Sequence, residues 1–217
     1  MPYSDVFGDQ FYCKTDGRRE CDHVFIDGNG LKQRFHSETA LTVGELGFGT
    51  GLNLCVTWRQ WKQLRRSDSH LHFVSFELYP MRANEIDRAL QHWTEISSER
   101  ERLVELWPEN LSGSVNIELD HQTTAIIVCG DAYSNVATSS LSFDAWYLDG
   151  FAPARNPEMW SLDLMRAIFE RTVLNGTFAT YAAAGFVRRN LIAAGFTVEK
   201  RKGFAGKREM LCGQKTV

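Results

Sequence analysis

The chain has 217 residues, with 24 Lys/Arg against 27 Asp/Glu, a formal net charge of −3, 43% apolar residues and 24% charged ones. That is enough chain for one α/β domain with a sizeable core, in ordinary globular proportions. No apolar run approaches the roughly 20 residues of a membrane helix, and Met1-Pro2-Tyr3-Ser4-Asp5 lacks a basic and apolar signal pattern. The five cysteines (13, 21, 55, 129 and 212) contain no Cys-x-x-Cys pair. They therefore argue against a disulfide framework or a zinc site, and for a reducing, cytoplasmic setting.

Residues 1–38 read as an N-terminal extension packed on a core domain of residues 39–217. Within the extension, Phe11-Tyr12-Cys13 and His23-Val24-Phe25-Ile26 are short apolar runs that predict a β-hairpin. Asp27-Gly28-Asn29-Gly30 closes it, and Leu31 starts a short helix.

The core begins with a buried strand over Ala40–Leu46, followed by Gly47-Phe48-Gly49-Thr50-Gly51 and a helix that aligns Leu54, Trp58, Trp61 and Leu64. Strand, glycine turn and helix open a nucleotide-binding β-α-β unit, because glycines let the backbone turn sharply and approach a ligand. The dinucleotide fingerprint needs glycine three positions after Gly49, where Leu52 stands, and the phosphate-cradling loop needs a lysine that is absent. Glu45, just before the glycines, would repel a pyrophosphate and attract a cationic amino-acid end. S-adenosylmethionine carries such an end, and the Glu-x-Gly-x-Gly-x-Gly pattern resembles motif I of the class I methyltransferases.

A second strand over Leu71–Leu78 brings Glu77 to its carboxyl end, where doubly wound sheets bind ligands and a carboxylate can accept both ribose hydroxyls. Helices over Met81–Ile96 and Ser97–Leu106 follow. Strands over Val115–Leu119 and Ala125–Cys129 flank a turn and lead to Asp131 and Ala132, placed to bind the adenine amino group. The strand over Phe143–Leu148 runs into Asp149-Gly150-Phe151-Ala152-Pro153. An acid that can hold an amine, an aromatic that can stack on a nucleobase and a stiffening proline resemble the Asp-Pro-Pro-Tyr-type loop of amine methyltransferases. Asn156-Pro157 predicts a capped helix carrying Leu162, Met165 and Phe169. A strand over Thr177–Tyr181, a helix over Phe186–Ala194 and a pair of strands over Thr197–Arg201 and Arg208–Cys212 complete the chain.

Several stretches together are similar to the methyltransferase domain of the MnmC family of tRNA-modifying proteins and to its stand-alone MnmD relatives. They are Glu45–Asn53, Phe73–Glu77, Asp144–Trp160, Ala184–Arg189 and Lys200–Leu211, and Phe25–Asn29 also looks similar. The resemblance implies a Rossmann-like class I S-adenosylmethionine-dependent fold with a seven-stranded, mostly parallel sheet. It implies N-methylation of 5-aminomethyl-2-thiouridine at the tRNA wobble position, without metal. The cofactor site would comprise Glu45, Gly47, Phe48, Gly49, Gly51, Asn53, Glu77, Asp131, Ala132 and Asp149. Asp149 would also serve catalysis, and Phe151, Arg155, Lys207 and Arg208 would bind the tRNA anticodon stem-loop. The FAD-dependent oxidase that makes the amine in bifunctional relatives would act upstream and is expected to be absent from this chain.

From Phe186 onward, eight Lys/Arg face two acids, a local charge of +6 that leaves −9 on the preceding residues. Such a basic end fits a phosphate-binding face or a solvated surface equally well by composition. A methyltransferase acting on another nucleic-acid or small-molecule amine shares most of these features. A non-catalytic module on the same sheet would not need the set Glu45, Glu77, Asp131 and Asp149.

Overall fold

The computed structural model describes residues 2–13 and 15–216. Two-residue strands β1 (Tyr3–Ser4) and β2 (Asp9–Gln10) pair antiparallel at the N-terminus. Helix α1 (Gly17–Cys21), capped by the Asp16 side chain, continues into a π-helical turn over Asp22–Ile26, and α2 (Leu31–Ser37) follows. The N-terminal hairpin therefore lies earlier than expected, and His23–Ile26 is helical rather than extended. Val24, Phe25 and Ile26 are all buried. A π-turn can lay three consecutive side chains against the sheet, whereas a half-buried strand would expose every second one.

The core then alternates: β3 (Ala40–Leu46), α3 (Leu52–Leu64), β4 (His70–Glu77), α4 (Ala83–Leu90), α5 (Ser97–Leu106), β5 (Ser114–Asp120), β6 (Thr123–Cys129), α6 (Ala132–Thr138) and β7 (Phe143–Leu148). After these come α7 (Leu162–Arg171), β8 (Thr172–Thr180), α8 (Gly185–Ala194), β9 (Thr197–Lys202) and β10 (Glu209–Gln214). Two helices are shorter than their patterns predict. Helix α4 stops at Leu90, so that Trp93 can pack edge-on against Tyr12 at 4.7 Å, and a 3-10 turn over Thr94–Ile96 replaces its last stretch. Pro157 begins only a 3-10 turn; α7 starts after Ser161, whose hydroxyl accepts the Leu164 N–H.

The strands form one sheet in the order β5-β6-β4-β3-β7-β8-β10-β9. Five central strands are parallel, and β10 runs antiparallel between β8 and β9. The sheet has eight strands rather than seven, because β5 adds an antiparallel edge to β6. The sheet's faces bury two cores. Tyr147, Phe73 and Val43 join α2, α3, α5 and the N-terminal helices on one side, while Trp146, Val74 and Phe178 meet α6, α7 and α8 on the other. Alternation along each strand and helices on both faces make this a doubly wound α/β fold. Gly44 pairs in register with Trp146. A Cβ there would stand 2.5 Å from the indole and 2.8 Å from Phe143, so the glycine makes room for two large rings.

Candidate active site

The glycine loop sits where β3 delivers it, at the carboxyl edge of the sheet. Gly47, Gly49 and Gly51 have φ of +80°, +54° and +76°, which residues with a Cβ adopt only under strain. The Gly47 N–H donates to the Phe76 carbonyl at 2.9 Å, tying the loop to β4. A Cβ on Gly47 would approach the Gly150 Cα to 3.8 Å, so the loops after β3 and β7 face each other closely. Between them opens a cavity of about 370 Å³.

Two carboxylates reach it from the ends of β4 and β7, the strands on either side of β3. Glu77 accepts the Gly49 N–H on one oxygen at 2.9 Å and the Tyr79 N–H on the other at 2.7 Å. Asp149 accepts the Asn53 side-chain amide at 2.8 Å and the Gly150 N–H at 2.8 Å. Burial pushes the Asp149 carboxyl up to about 7, against the lowering effect of those two bonds. Glu45 is fully buried behind Asn53, which donates to it at 2.9 Å, and Ser75 donates to its other oxygen at 2.6 Å. Burial raises the Glu45 carboxyl well above the usual range, outweighing both bonds. Glu45 thus lies behind the cavity wall; it fixes Asn53, which fixes Asp149.

The N-terminal segment covers the site. The Ala152 N–H donates to Asp9 at 3.0 Å, and Phe7 stacks on Phe151 with centroids 4.6 Å apart. Phe11 meets Phe151 edge-on at 5.2 Å and lies against Gly49. On the β8 side the Tyr181 hydroxyl donates to the Gly150 carbonyl. Lys207 pairs with Glu20 at 2.7 Å, and its ammonium lies 4.2 Å from the Tyr181 ring centroid.

Of the residues expected at the site, Gly47, Phe48, Gly49, Asn53, Glu77, Asp149, Phe151 and Lys207 line the cavity. Six expected residues do not. Glu45 is behind the wall, and Gly51 opens α3, where a Cβ would press on Phe48 at 2.8 Å. Asp131 turns one carboxylate oxygen to the Ser134 N–H and hydroxyl as the cap of α6, and Ala132 is packed in the core below. Arg155 and Arg208 are exposed outside the cavity. Sequence reading missed Phe7, Phe11, Glu20 and Tyr181. Tyr181 directly follows a parallel strand, the same signal that marks Glu77 and Asp149; the other three lie in the N-terminal extension, where Phe11 reads only as part of a strand and Phe7 and Glu20 leave no local signal.

The residues present fit S-adenosylmethionine. The glycine cradle admits a ligand against bare backbone, four carboxylates (Asp9, Glu20, Glu77 and Asp149) against one lysine, Lys207, line the cavity, and Glu77 offers a hydroxyl acceptor at the end of β4. Among the described residues, no His/Cys/Asp/Glu cluster could hold a metal ion, and no helix is long and apolar enough to cross a membrane. A family model described as S-adenosyl-L-methionine-dependent methyltransferase matches residues 94–216. The chain belongs to this methyltransferase family. It is 40% identical over 216 residues to the tRNA 5-methylaminomethyl-2-thiouridine biosynthesis bifunctional protein MnmC of Chromohalobacter salexigens, covering 98% of this chain and 31% of that one. The methyltransferase thus spans about a third of that relative's length. The structure of MnmC2 from Aquifex aeolicus superposes with a TM-score of 0.76 at 22% identity, over 98% of this chain and 66% of the other. DesVI from Streptomyces venezuelae matches with a TM-score of 0.51 at 12% identity, over 92% of each chain. At these identities the two structures bear on the fold alone, which is that of a class I methyltransferase.

Proposed function

We propose that this methyltransferase N-methylates the aminomethyl group of 5-aminomethyl-2-thiouridine at the tRNA wobble position. The observation that carries the reading is Asp149. It is held by Asn53 and Gly150, stands on the wall of the cavity beside Phe151, and titrates near neutrality. The name of the MnmC relative, a tRNA 5-methylaminomethyl-2-thiouridine biosynthesis protein, supports the choice of substrate. When bound, S-adenosylmethionine supplies an electrophilic methyl group on a cationic sulfur with a thioether as leaving group.

The chain's own part is alignment and proton handling. Glu77 would hold the ribose hydroxyls, and the backbone of Gly47–Gly49 the amino-acid end. Asn53 spends its amide hydrogens on Glu45 and Asp149, so the Asp149 rotamer is set before substrate arrives. Only a neutral amine has a lone pair to give. A carboxyl near 7 accepts a proton from an alkylammonium more readily than one at 3.8 would, and it can orient the resulting amine. Phe7, Phe11 and Phe151 form an apolar cover that excludes water. Outside the cavity, Arg155 and Arg208 would meet backbone phosphates.

The test is incubation of the protein and S-adenosylmethionine with tRNA carrying the aminomethyl group, followed by nucleoside mass spectrometry. A gain of one methyl group on that uridine is expected. Transfer only to a free small-molecule amine would favour a different substrate.

A further inference from the structure

Glu20, Tyr181 and Lys207 line the cavity with Asp149, yet alignment and proton transfer leave them without a task. Glu20 is 8% exposed, and its carboxylate takes the Lys207 ammonium at 2.7 Å. The same ammonium lies over the Tyr181 ring at 4.2 Å. A carboxylate beside an aromatic face is a receptor for an organic cation, and the geometry is good for both contacts. The Tyr181 ring is itself fixed by its hydroxyl bond to the Gly150 carbonyl, next to Asp149. The receptor is therefore fixed in place, and its occupant comes from a separate, more exposed element: Lys207 is 42% exposed at the side chain and sits on the loop between β9 and β10.

The occupant also has the right chemistry to be a stand-in. The end of a lysine side chain is a primary ammonium on a methylene, the same group as a protonated aminomethyl substituent. We propose that Glu20 and Tyr181 form the subsite that receives the substrate's aminomethyl group as its ammonium, and that Lys207 fills this subsite until the substrate displaces it. The proposal rests on the reading of the substrate as an aminomethyl uridine. It gives the cavity two stations: Glu20 and Tyr181 select a cation, and Asp149 then accepts its proton. The Asp149 carboxyl feels both partners, Glu20 raising it and Lys207 lowering it, so the stations are within electrostatic reach of each other.

The experiment compares binding of two anticodon stem-loops, identical except that one carries 5-aminomethyl-2-thiouridine and the other 2-thiouridine. Wild type should prefer the aminomethyl RNA by about 10-fold or more, the discrimination expected of a desolvated charge pair. Glu20→Gln keeps a hydrogen-bonding partner for Lys207 but removes the charge. It should cut that preference to about 2-fold or less, with S-adenosylmethionine affinity and Tm close to wild type. Lys207→Met, which empties the subsite, should keep or increase the preference. A wild type that does not distinguish the two RNAs sinks the substrate reading itself. A wild type that distinguishes them, with Glu20→Gln distinguishing them equally well, overturns this inference alone. Loss of cofactor affinity in Glu20→Gln with the RNA preference intact would reassign the pair to the donor's amino-acid end and overturn it as well. If Lys207→Met abolishes the preference, the lysine is a contact rather than a stand-in, and the inference fails.

Discussion

At the level of single residues, Asp149 carries the most consequence. Asp149→Ala should fold and bind RNA but lose about 10²–10⁴-fold in single-turnover methyl transfer, the usual worth of a positioned proton acceptor. Asp149→Asn separates the roles: it can still accept a hydrogen bond from the amine but cannot take its proton. Near-equal losses in the two variants would identify proton acceptance as the main role, and a near-normal rate in Asp149→Ala would remove the residue from the mechanism. The wild-type rate should climb with pH through about 7 as Asp149 ionises, a limb that Asp149→Asn lacks. Stability should show the opposite slope. A carboxyl raised from 3.8 to about 7 on folding binds a proton in the native state that the unfolded chain releases. Its contribution is fully present below 3.8 and is lost as pH rises to about 7. Denaturant melts at pH 4.5 and 8 should therefore show wild type losing on the order of 1–3 kcal/mol more than Asp149→Asn over that interval. Glu77→Ala should weaken S-adenosylmethionine binding by about 1.5–3 kcal/mol in calorimetry, as expected for a charge-assisted contact. Part of that loss would come from the Gly49 and Tyr79 N–H groups that Glu77 now holds.

Elements act here by where they end. Strands β3, β4, β7 and β8 terminate at one edge, so Gly47, Glu77, Asp149 and Tyr181 converge although up to 134 positions separate them. The hairpin of β1 and β2 is too short to be stable alone. It is held by Asp9 on Ala152 and by Phe7 on Phe151, which makes the cover of the site part of the loop it covers. Strand β3 depends on one glycine. Gly44→Ala would drive a methyl into Trp146 and Phe143 in the middle of the sheet. It should destabilise the fold by about 1–3 kcal/mol, more if the indole cannot shift, measured as a drop in the denaturant midpoint at constant slope.

Across the whole molecule, the basic carboxyl-terminal region divides in two. Lys215 donates to the Phe169 and Thr172 carbonyls, Lys200 pairs with Glu209, Arg201 with Glu199 and Lys207 with Glu20. Arg189 and Arg208 are exposed and make no ion pair among the described residues. RNA binding should therefore weaken with salt, and replacing Arg189 and Arg208 together by alanine should lower the slope of log affinity against log salt by about 2, with little sequence dependence. An unchanged slope and affinity would make this face a solvated surface.

The sequence by itself determined the doubly wound core and the two strand-end carboxylates on the cavity wall. Apolar runs such as Ala40–Leu46 and Phe143–Leu148 match their strands residue for residue, because a buried parallel strand leaves a continuous apolar stretch bounded by turn formers. Position at a strand's carboxyl end then singles out Glu77 and Asp149 by a rule that needs only local order. Tertiary structure alone decided the rest. Val24, Phe25 and Ile26 have strand composition, yet the face of the sheet that holds Tyr147 selects a π-turn. Glu45 and Asp131 are expected as ligands from their spacing; that Glu45 sits buried behind Asn53 and that one Asp131 oxygen caps a helix are decided by neighbours in space. Glu20 and Lys207 are 187 positions apart, and no pattern in either neighbourhood announces their pairing. It exists because α1 and the loop before β10 meet over the same cavity, a consequence of chain closure rather than of local propensity.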